Sequence, residues 1–308
     1  MSVARALDFL RRRQAPDGEF ATRLWRAGQE PGAGVRDHSV FVTACVLYGL
    51  RHVEPGRVAD VERAAVRFLI RAMQPPGVWS YWTAASGKRI DPDMDDTALI
   101  SFLLRRHHPH IALGSNVEAM LAARDGAGRF CTWLRPANRP NDVDPVVNAN
   151  VVLHLGERRE TRAACAYLRD CALAGSGSPW YYVDDAALHY AITRAAWHGV
   201  RALDDVGGAL VDKALARQRR DGSFGDELCT AWTVSTLLNA RSDQLEAIAR
   251  AADWLVRRQL PHGGWPCVAA FAGPEPPGPR TFRWGSEELT TAASVEALAR
   301  VAALPRLL

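Results

Sequence analysis

Gln14-Ala15-Pro16-Asp17-Gly18-Glu19-Phe20 is the first of a series that returns as Gln74-Pro75-Pro76-Gly77-Val78-Trp79, as Gln218-Arg219-Arg220-Asp221-Gly222-Ser223-Phe224 and as Gln259-Leu260-Pro261-His262-Gly263-Gly264-Trp265. The shared pattern is a glutamine, two or three residues, a glycine, one residue and an aromatic. Two degenerate copies without the glutamine, around Gly128-Arg129-Phe130 and from Gly175 to Trp180, fill the gap between the second and third. The turn glycines then stand at 18, 77, 128, 177, 222 and 263, separated by 59, 51, 49, 45 and 41 residues. That period is the one at which arrays of helical hairpins repeat.

A charged amphipathic segment precedes each turn, and a more apolar segment rich in Ala, Thr and Val follows it. The spacing predicts outer helices over 3–13, 58–73, 116–123, 160–172, 205–217 and 244–258. It predicts inner helices over 38–50, 95–106, 145–155, 185–197, 227–239 and 288–302. Twelve alternating helices of this kind wind into an all-α (α/α)6 toroid, with the outer ring facing water and the inner ring buried on most sides. No linker interrupts the series, so residues 1–308 are expected to form one domain. The longest irregular stretch, 272–286, falls inside the sixth unit and is expected to be a lid or rim loop. Within each turn, glycine supplies the positive φ, Asp or Pro shapes the bend, the aromatic plugs the seam, and the glutamine amide ties down free backbone groups.

Composition narrows the function. With 48% hydrophobic and 23% charged residues, the chain can bury a sizeable core. It shows no run of about 18 uncharged apolar residues and no signal-peptide pattern, so a cytoplasmic protein without a membrane span is expected. The six cysteines lack CxxC spacing, which fits reduced thiols. Net charge is +4, but 36 of the 38 basic residues are arginines scattered through helical patterns, with Lys88 and Lys213 the exceptions. That scatter fits a GC-rich coding bias and gives no reason to expect nucleic acid as a partner.

Acid opens every inner helix: Asp37; Asp93, Asp95 and Asp96; Asp142 and Asp144; Asp184 and Asp185; Glu227; Glu287 and Glu288. Capping explains any one of them, because a carboxylate there accepts orphan N–H groups and complements the helix dipole. Together they would ring one mouth of the toroid. Three places exceed what capping needs. Ile90-Asp91-Pro92-Asp93-Met94-Asp95-Asp96 holds four carboxyl groups in six residues. Asp144 and Asn148, and likewise Asp185 and His189, are one turn apart on one face of an inner helix. Asn148 and His189 therefore either line a lumen or are satisfied polar groups in the core.

The turn repeats resemble those of squalene-hopene cyclase and its oxidosqualene cyclase relatives over nearly the whole chain. Asp93-Met94-Asp95-Asp96-Thr97-Ala98 is similar to the DxDDTA motif of class II terpene cyclases. The resemblance implies acid-initiated cyclisation of a terpenoid or prenylated small molecule, by protonation of an alkene or epoxide and with no metal or cofactor. It implies Asp95 as proton donor and Asp93 and Asp96 as its flanking carboxyls. The chemistry is consistent: clustered, partly buried acids keep one carboxyl neutral, and the ensuing cation needs a dry cavity walled by π-faces. Trp79, Tyr81 and Trp82 just before the motif, and Trp133, Trp180, Tyr181, Tyr182 and Trp232 near other inner-helix starts, are candidates for that wall. The chain has no room for the second helical domain of the larger cyclases, so it resembles single-domain members. It also lacks a DDxxD or NSE-type magnesium motif.

Other chemistries fit the same architecture. Glu227 and Cys229 are similar to part of the zinc site of protein prenyltransferase β-subunits, but the last inner helix offers no histidine as a third ligand. A polar lumen with His189 and Asp185 as an acid/base pair could instead act on a small polar metabolite, leaving Asp95 as a cap. A non-catalytic toroid could use its rim acids to bind a partner.

Overall fold

The computed structural model describes residues 2–107, 111, 113–175 and 177–304; Ser176, inside the fourth turn, lies outside the described residues. Among the described residues twelve α-helices follow one another: α1 (Ser2–Arg13), α2 (Val40–Gly49), α3 (Ala59–Arg71), α4 (Met94–His107), α5 (Asn116–Ala122), α6 (Pro145–Leu155), α7 (Arg162–Ala174), α8 (Ala186–Trp197), α9 (Gly207–Leu215), α10 (Glu227–Asn239), α11 (Leu245–Arg258) and α12 (Glu287–Ala302). The odd and even helices differ as the pattern requires. Helix α11 buries only Ile248, Ala251, Ala252 and Leu255, one stripe at helical spacing, whereas every residue of α6 is buried. The even helices pack each on the next, from α2 through α4, α6, α8 and α10 to α12, and α12 returns to α2. Odd helices cover them from outside, with α1 on α12 and α11 on both α10 and α12. Among the described residues no helix is long and apolar enough to cross a membrane.

The repeated turn joins neighbouring units. Gly77 has φ +99°, and a Cβ there would stand 2.0 Å from the Leu113 carbonyl oxygen; at Gly263, φ +98°, it would stand 2.4 Å from the Arg5 carbonyl oxygen of α1. The turn after one outer helix is thus pressed backbone to backbone against the next unit, and the last turn meets the first helix. Three of the four glutamine amides bridge such seams, whereas Gln74 donates to the Ser80 hydroxyl. Gln14 donates to the carbonyls of Gly18 and Val61, Gln218 to those of Gly222 and Ala247, and Gln259 to those of Gly263 and Ser2. The turn aromatic then locks onto its inner helix. The amides of Phe20, Trp79, Phe224 and Trp265 donate to the hydroxyls of Thr43, Thr97, Thr230 and Thr291.

The all-helical expectation needs one correction. Strands β1 (Thr22–Arg26), β2 (Val35–Asp37), β3 (Phe271–Gly273) and β4 (Phe282–Gly285) form an antiparallel sheet in the order β2-β1-β4-β3. Within the segment 272–286, expected as a lid or rim loop, β3 and β4 thus form a hairpin, and the irregular loop is confined to 274–281. Leu24 of the first unit lies opposite Trp284 of the last, so the sheet also ties the two ends of the chain together. Strands of three to five residues are too short for a period-2 pattern to stand out beside their Gly and Pro.

Substituting Gly77 by alanine should lower stability by more than about 1 kcal/mol, because the new Cβ meets both an unfavourable φ and a carbonyl oxygen. Gly56, where a Cβ meets nothing within 4 Å, is the control and should change little on substitution by alanine. Denaturant midpoints of the two variants check this.

Candidate active site

Where the even helices begin, a cavity of about 360 Å³ opens between them and the sheet. Its walls carry Phe41, Tyr81, Trp82, Trp133, Tyr181, Tyr182, Phe271, Phe282 and Trp284, and Asp93, Asp95 and Asp96 reach it from the head of α4. The sheet overlooked in the sequence supplies Leu24, Phe271, Phe282 and Trp284, one whole side of the chamber.

The three acids of α4 have separate environments. Asp93 caps the helix, its Oδ1 accepting the Asp96 amide at 2.8 Å. Burial pushes its carboxyl up to about 6, against the opposing pull of Asp96 and nearby amides. Asp95 is half-buried; its Oδ2 accepts the Tyr182 hydroxyl at 2.5 Å and its Oδ1 accepts the Asn150 side-chain amide. Burial raises its carboxyl to about 6 as well; the Tyr182 and Asn150 bonds oppose the rise, while Asp93 adds to it. Asn150 in turn accepts from the guanidinium of Arg194. The two oxygens of buried Asp96 meet no donor among the described residues. Burial, with Asp93 and Asp95 beside it, holds that carboxyl well above the usual range.

The structure sorts the residues singled out from the sequence. Asp93, Asp95, Asp96, Tyr81 and Trp82 all line the cavity. Trp79 does not: it is fully buried in the seam, with its indole N–H on the Leu69 carbonyl at 2.7 Å. Trp232 stacks on Tyr190 beside a separate cavity of about 40 Å³, deeper between the helices. Asp144 is a saturated cap, Oδ1 taking the amides of Val146 and Val147 and Oδ2 those of Trp180 and Tyr181. Asn148 holds both the N–H and the carbonyl of Phe130, where threonine takes only the N–H in four other turns, and is core polarity rather than lumen lining. Asp185 is exposed, His189 lines neither cavity, and no hydrogen bond joins their side chains among the described residues. Glu227, weighed as a zinc ligand, is bound to Arg258 of α11 at 2.7 Å. Other rim acids are likewise taken by arginines, Glu288 by Arg13 of α1 and Asp184 by Arg217 just beyond α9, each at 2.7 Å.

Asn150 and Arg194 are the residues that sequence reasoning missed. Asn150 lies two residues beyond Asn148 and so about 200° around the helix, which carries it from the turn side to the axis. Arg194, a charge inside an apolar inner helix, was the available signal, because a buried guanidinium demands a partner.

A ring of paired helices with an acid cluster opening into an aromatic chamber defines a helical toroid of the type II terpene cyclase fold. Known proteins that the chain resembles include terpene cyclases and terpene synthases. A variant of the type II terpene cyclase MstE from Scytonema, in complex with its substrate geranylgeranyl dihydroxybenzoate, overlays 98% of this chain and 96% of its own at a TM-score of 0.77 and 20% identity. ent-Copalyl diphosphate synthase from Streptomyces platensis overlays 86% of this chain and 50% of its own, at a TM-score of 0.62 and 23% identity. Drimenyl diphosphate synthase of Streptantibioticus cattleyicolor is 27% identical over 276 residues, which are 87% of this chain but only 42% of that protein. The chain thus spans less than half the length of this curated relative. No family model matches it.

A carboxyl raised to about 6 in the folded state binds its proton between about pH 4 and 6, where the unfolded chain has already released it. Asp95 therefore favours the fold at low pH, and that contribution is lost as pH rises through 6. The stability of Asp95→Asn relative to the wild type should accordingly climb from pH 4 to 6 and level off above 7. Denaturant midpoints across that range check it; a pH-independent difference would mean an unshifted carboxyl.

Proposed function

We propose that the chain forms a single (α/α)6 domain acting as a class II terpene cyclase, an isomerase or lyase of specialised metabolism whose substrate is a terpenoid or a prenylated small molecule. One observation carries the reading: a carboxyl lifted to about 6 projects into a cavity walled by nine aromatic side chains. The solved likeness to a cyclase bound to a geranylgeranyl-bearing aromatic acid, and the curated likeness to a drimenyl diphosphate synthase, support a prenyl chain as the reacting part.

Asp95 gives its carboxyl proton to an alkene carbon or an epoxide oxygen. The alkene π pair forms the new C–H bond, or the epoxide C–O bond breaks, leaving a carbocation that the next alkene attacks. Loss of a proton from the cyclic cation ends the sequence with no net oxidation. The same Tyr182 and Asn150 hydrogen bonds that restrain the Asp95 pKa stabilise the carboxylate left behind, and Arg194 holds Asn150 in place. Asp93 and Asp96 flank the donor, and Asp93 adds to the rise of its carboxyl. The π-faces stabilise positive charge without bonding to it.

Asp95→Asn should abolish cyclisation of geranylgeranyl dihydroxybenzoate or of a prenyl diphosphate, a loss of at least about 10²- to 10⁴-fold, without lowering the thermal midpoint at neutral pH. Chromatography of the products beside a melting curve tests this, and a variant that still turns over removes Asp95 from the role. The acid must be protonated to act, so kcat/KM of the wild type should fall as pH rises above about 6. Tyr182→Phe removes a bond that holds the Asp95 pKa down, and should move that descending limb to higher pH.

A further inference from the structure

Two carboxyl groups that the proposed reaction does not use sit behind the cavity wall. Asp37 lies at the end of β2 and is 3% exposed. Its Oδ2 accepts the indole N–H of Trp82 and of Trp284, each at 3.0 Å, and the Lys88 ammonium at 2.9 Å. On the facing side Asp142 Oδ1 accepts the Tyr181 hydroxyl at 2.9 Å and the Trp133 indole N–H at 3.2 Å, while its Oδ2 accepts the Thr132 hydroxyl at 2.7 Å. All four rings line the chamber.

A buried indole N–H needs an acceptor, but a backbone carbonyl suffices for that. The seam tryptophans use one, Trp79 donating to Leu69 and Trp265 to Leu255. The three cavity tryptophans, 82, 133 and 284, each donate to a carboxyl group instead. Donation to an anionic acceptor is stronger than to a carbonyl and leaves the ring more electron-rich, which deepens the negative potential of its face. The Tyr181 oxygen is doubly engaged, donating to Asp142 and accepting from Trp133 at 3.2 Å. Asp37 also offsets Lys88, whose ammonium lies 4.9 Å from the centre of the Trp82 ring. Burial works to raise the Asp37 carboxyl, but its bonds to Lys88, Trp284 and Trp82 outweigh that and hold it below its ordinary value, in the charged form.

We propose that Asp37 and Asp142 are positioning residues that anchor two pairs of wall aromatics by their N–H and O–H groups, turning the chamber into a binding site for a lipophilic cation. The inference deepens the cyclase reading by naming what steers the carbocation, but binding of a stable cation does not require the Asp95 proton. The probes are decyltrimethylammonium, a lipophilic cation, and 1-decanol as its uncharged control, titrated calorimetrically into the full chain.

The wild type should prefer the cation. Asp37→Asn and Asp142→Asn should each bind it about fivefold more weakly, the loss expected when one or two rings leave register, with decanol affinity changed less than about twofold. Trp82→Phe and Trp133→Phe keep the carboxyls but cut their links to the rings, and should reproduce the selective loss; they also stand in if an Asp variant fails to fold. Equal weakening of both probes would reduce the carboxyls to structural supports, and unchanged affinity for the cation, or no preference in the wild type, would overturn the proposal. Turnover of Asp95→Asn is read separately, so failure of the cyclase reaction and failure of the cation site give different results.

Discussion

Removing the carboxyls of α4 from water is the constraint on which the rest of the structure turns. An ionised carboxylate loses solvation when buried, and unless a donor or cation compensates, it answers by keeping its proton. Asp96 has no compensating donor among the described residues and is pushed well above the usual range, while Asp95, given two donors, settles at about 6. That graded desolvation exists only because α4 is flanked by α2 and α6 in a ring whose last inner helix returns to its first. If the ring opened, the three acids would regain water and titrate as ordinary carboxyls.

Closure is therefore a chemical requirement as much as a mechanical one, and the chain secures it several times over. Gly263 lies against the backbone of α1, Gln259 reaches the Ser2 carbonyl, and β1 pairs with β4. The same turn that repeats between neighbours thus also joins the ends. Acid at the head of an inner helix serves different ends around the mouth. Asp144 caps, Glu227 and Glu288 pair with outer-helix arginines, Asp37 and Asp142 hold wall aromatics, and Asp95 faces the cavity. One residue type in one position yields structure or chemistry according to which donors the neighbouring unit presents.

Much of this was legible from local pattern. The twelve helices fall within a few residues of their expected places, because the alternation of one-sided and wholly apolar segments records which ring each helix joins. The acid motif was visible as an excess of carboxyls over what a cap can use. Asn148 shows where such reasoning misleads: a lone polar residue in an apolar run signals a buried partner, but not whether the partner is a ligand or the amide of Phe130. The strands went unread because each is too short to carry a period, and with them one side of the chamber.

The sequence by itself determined the hairpin repeat, the alternation of rings and the clustered acids, all of which depend on residues within a few turns of one another. Only the tertiary structure decided what surrounds Asp95, since Tyr182 is 87 residues away and Asn150 is 55. It alone brought Trp284 onto Asp37 across 247 residues. Helical periodicity reflects the burial of a face and is written along the chain. The contents of the lumen depend on which faces meet once the ring has closed, and no local pattern records that.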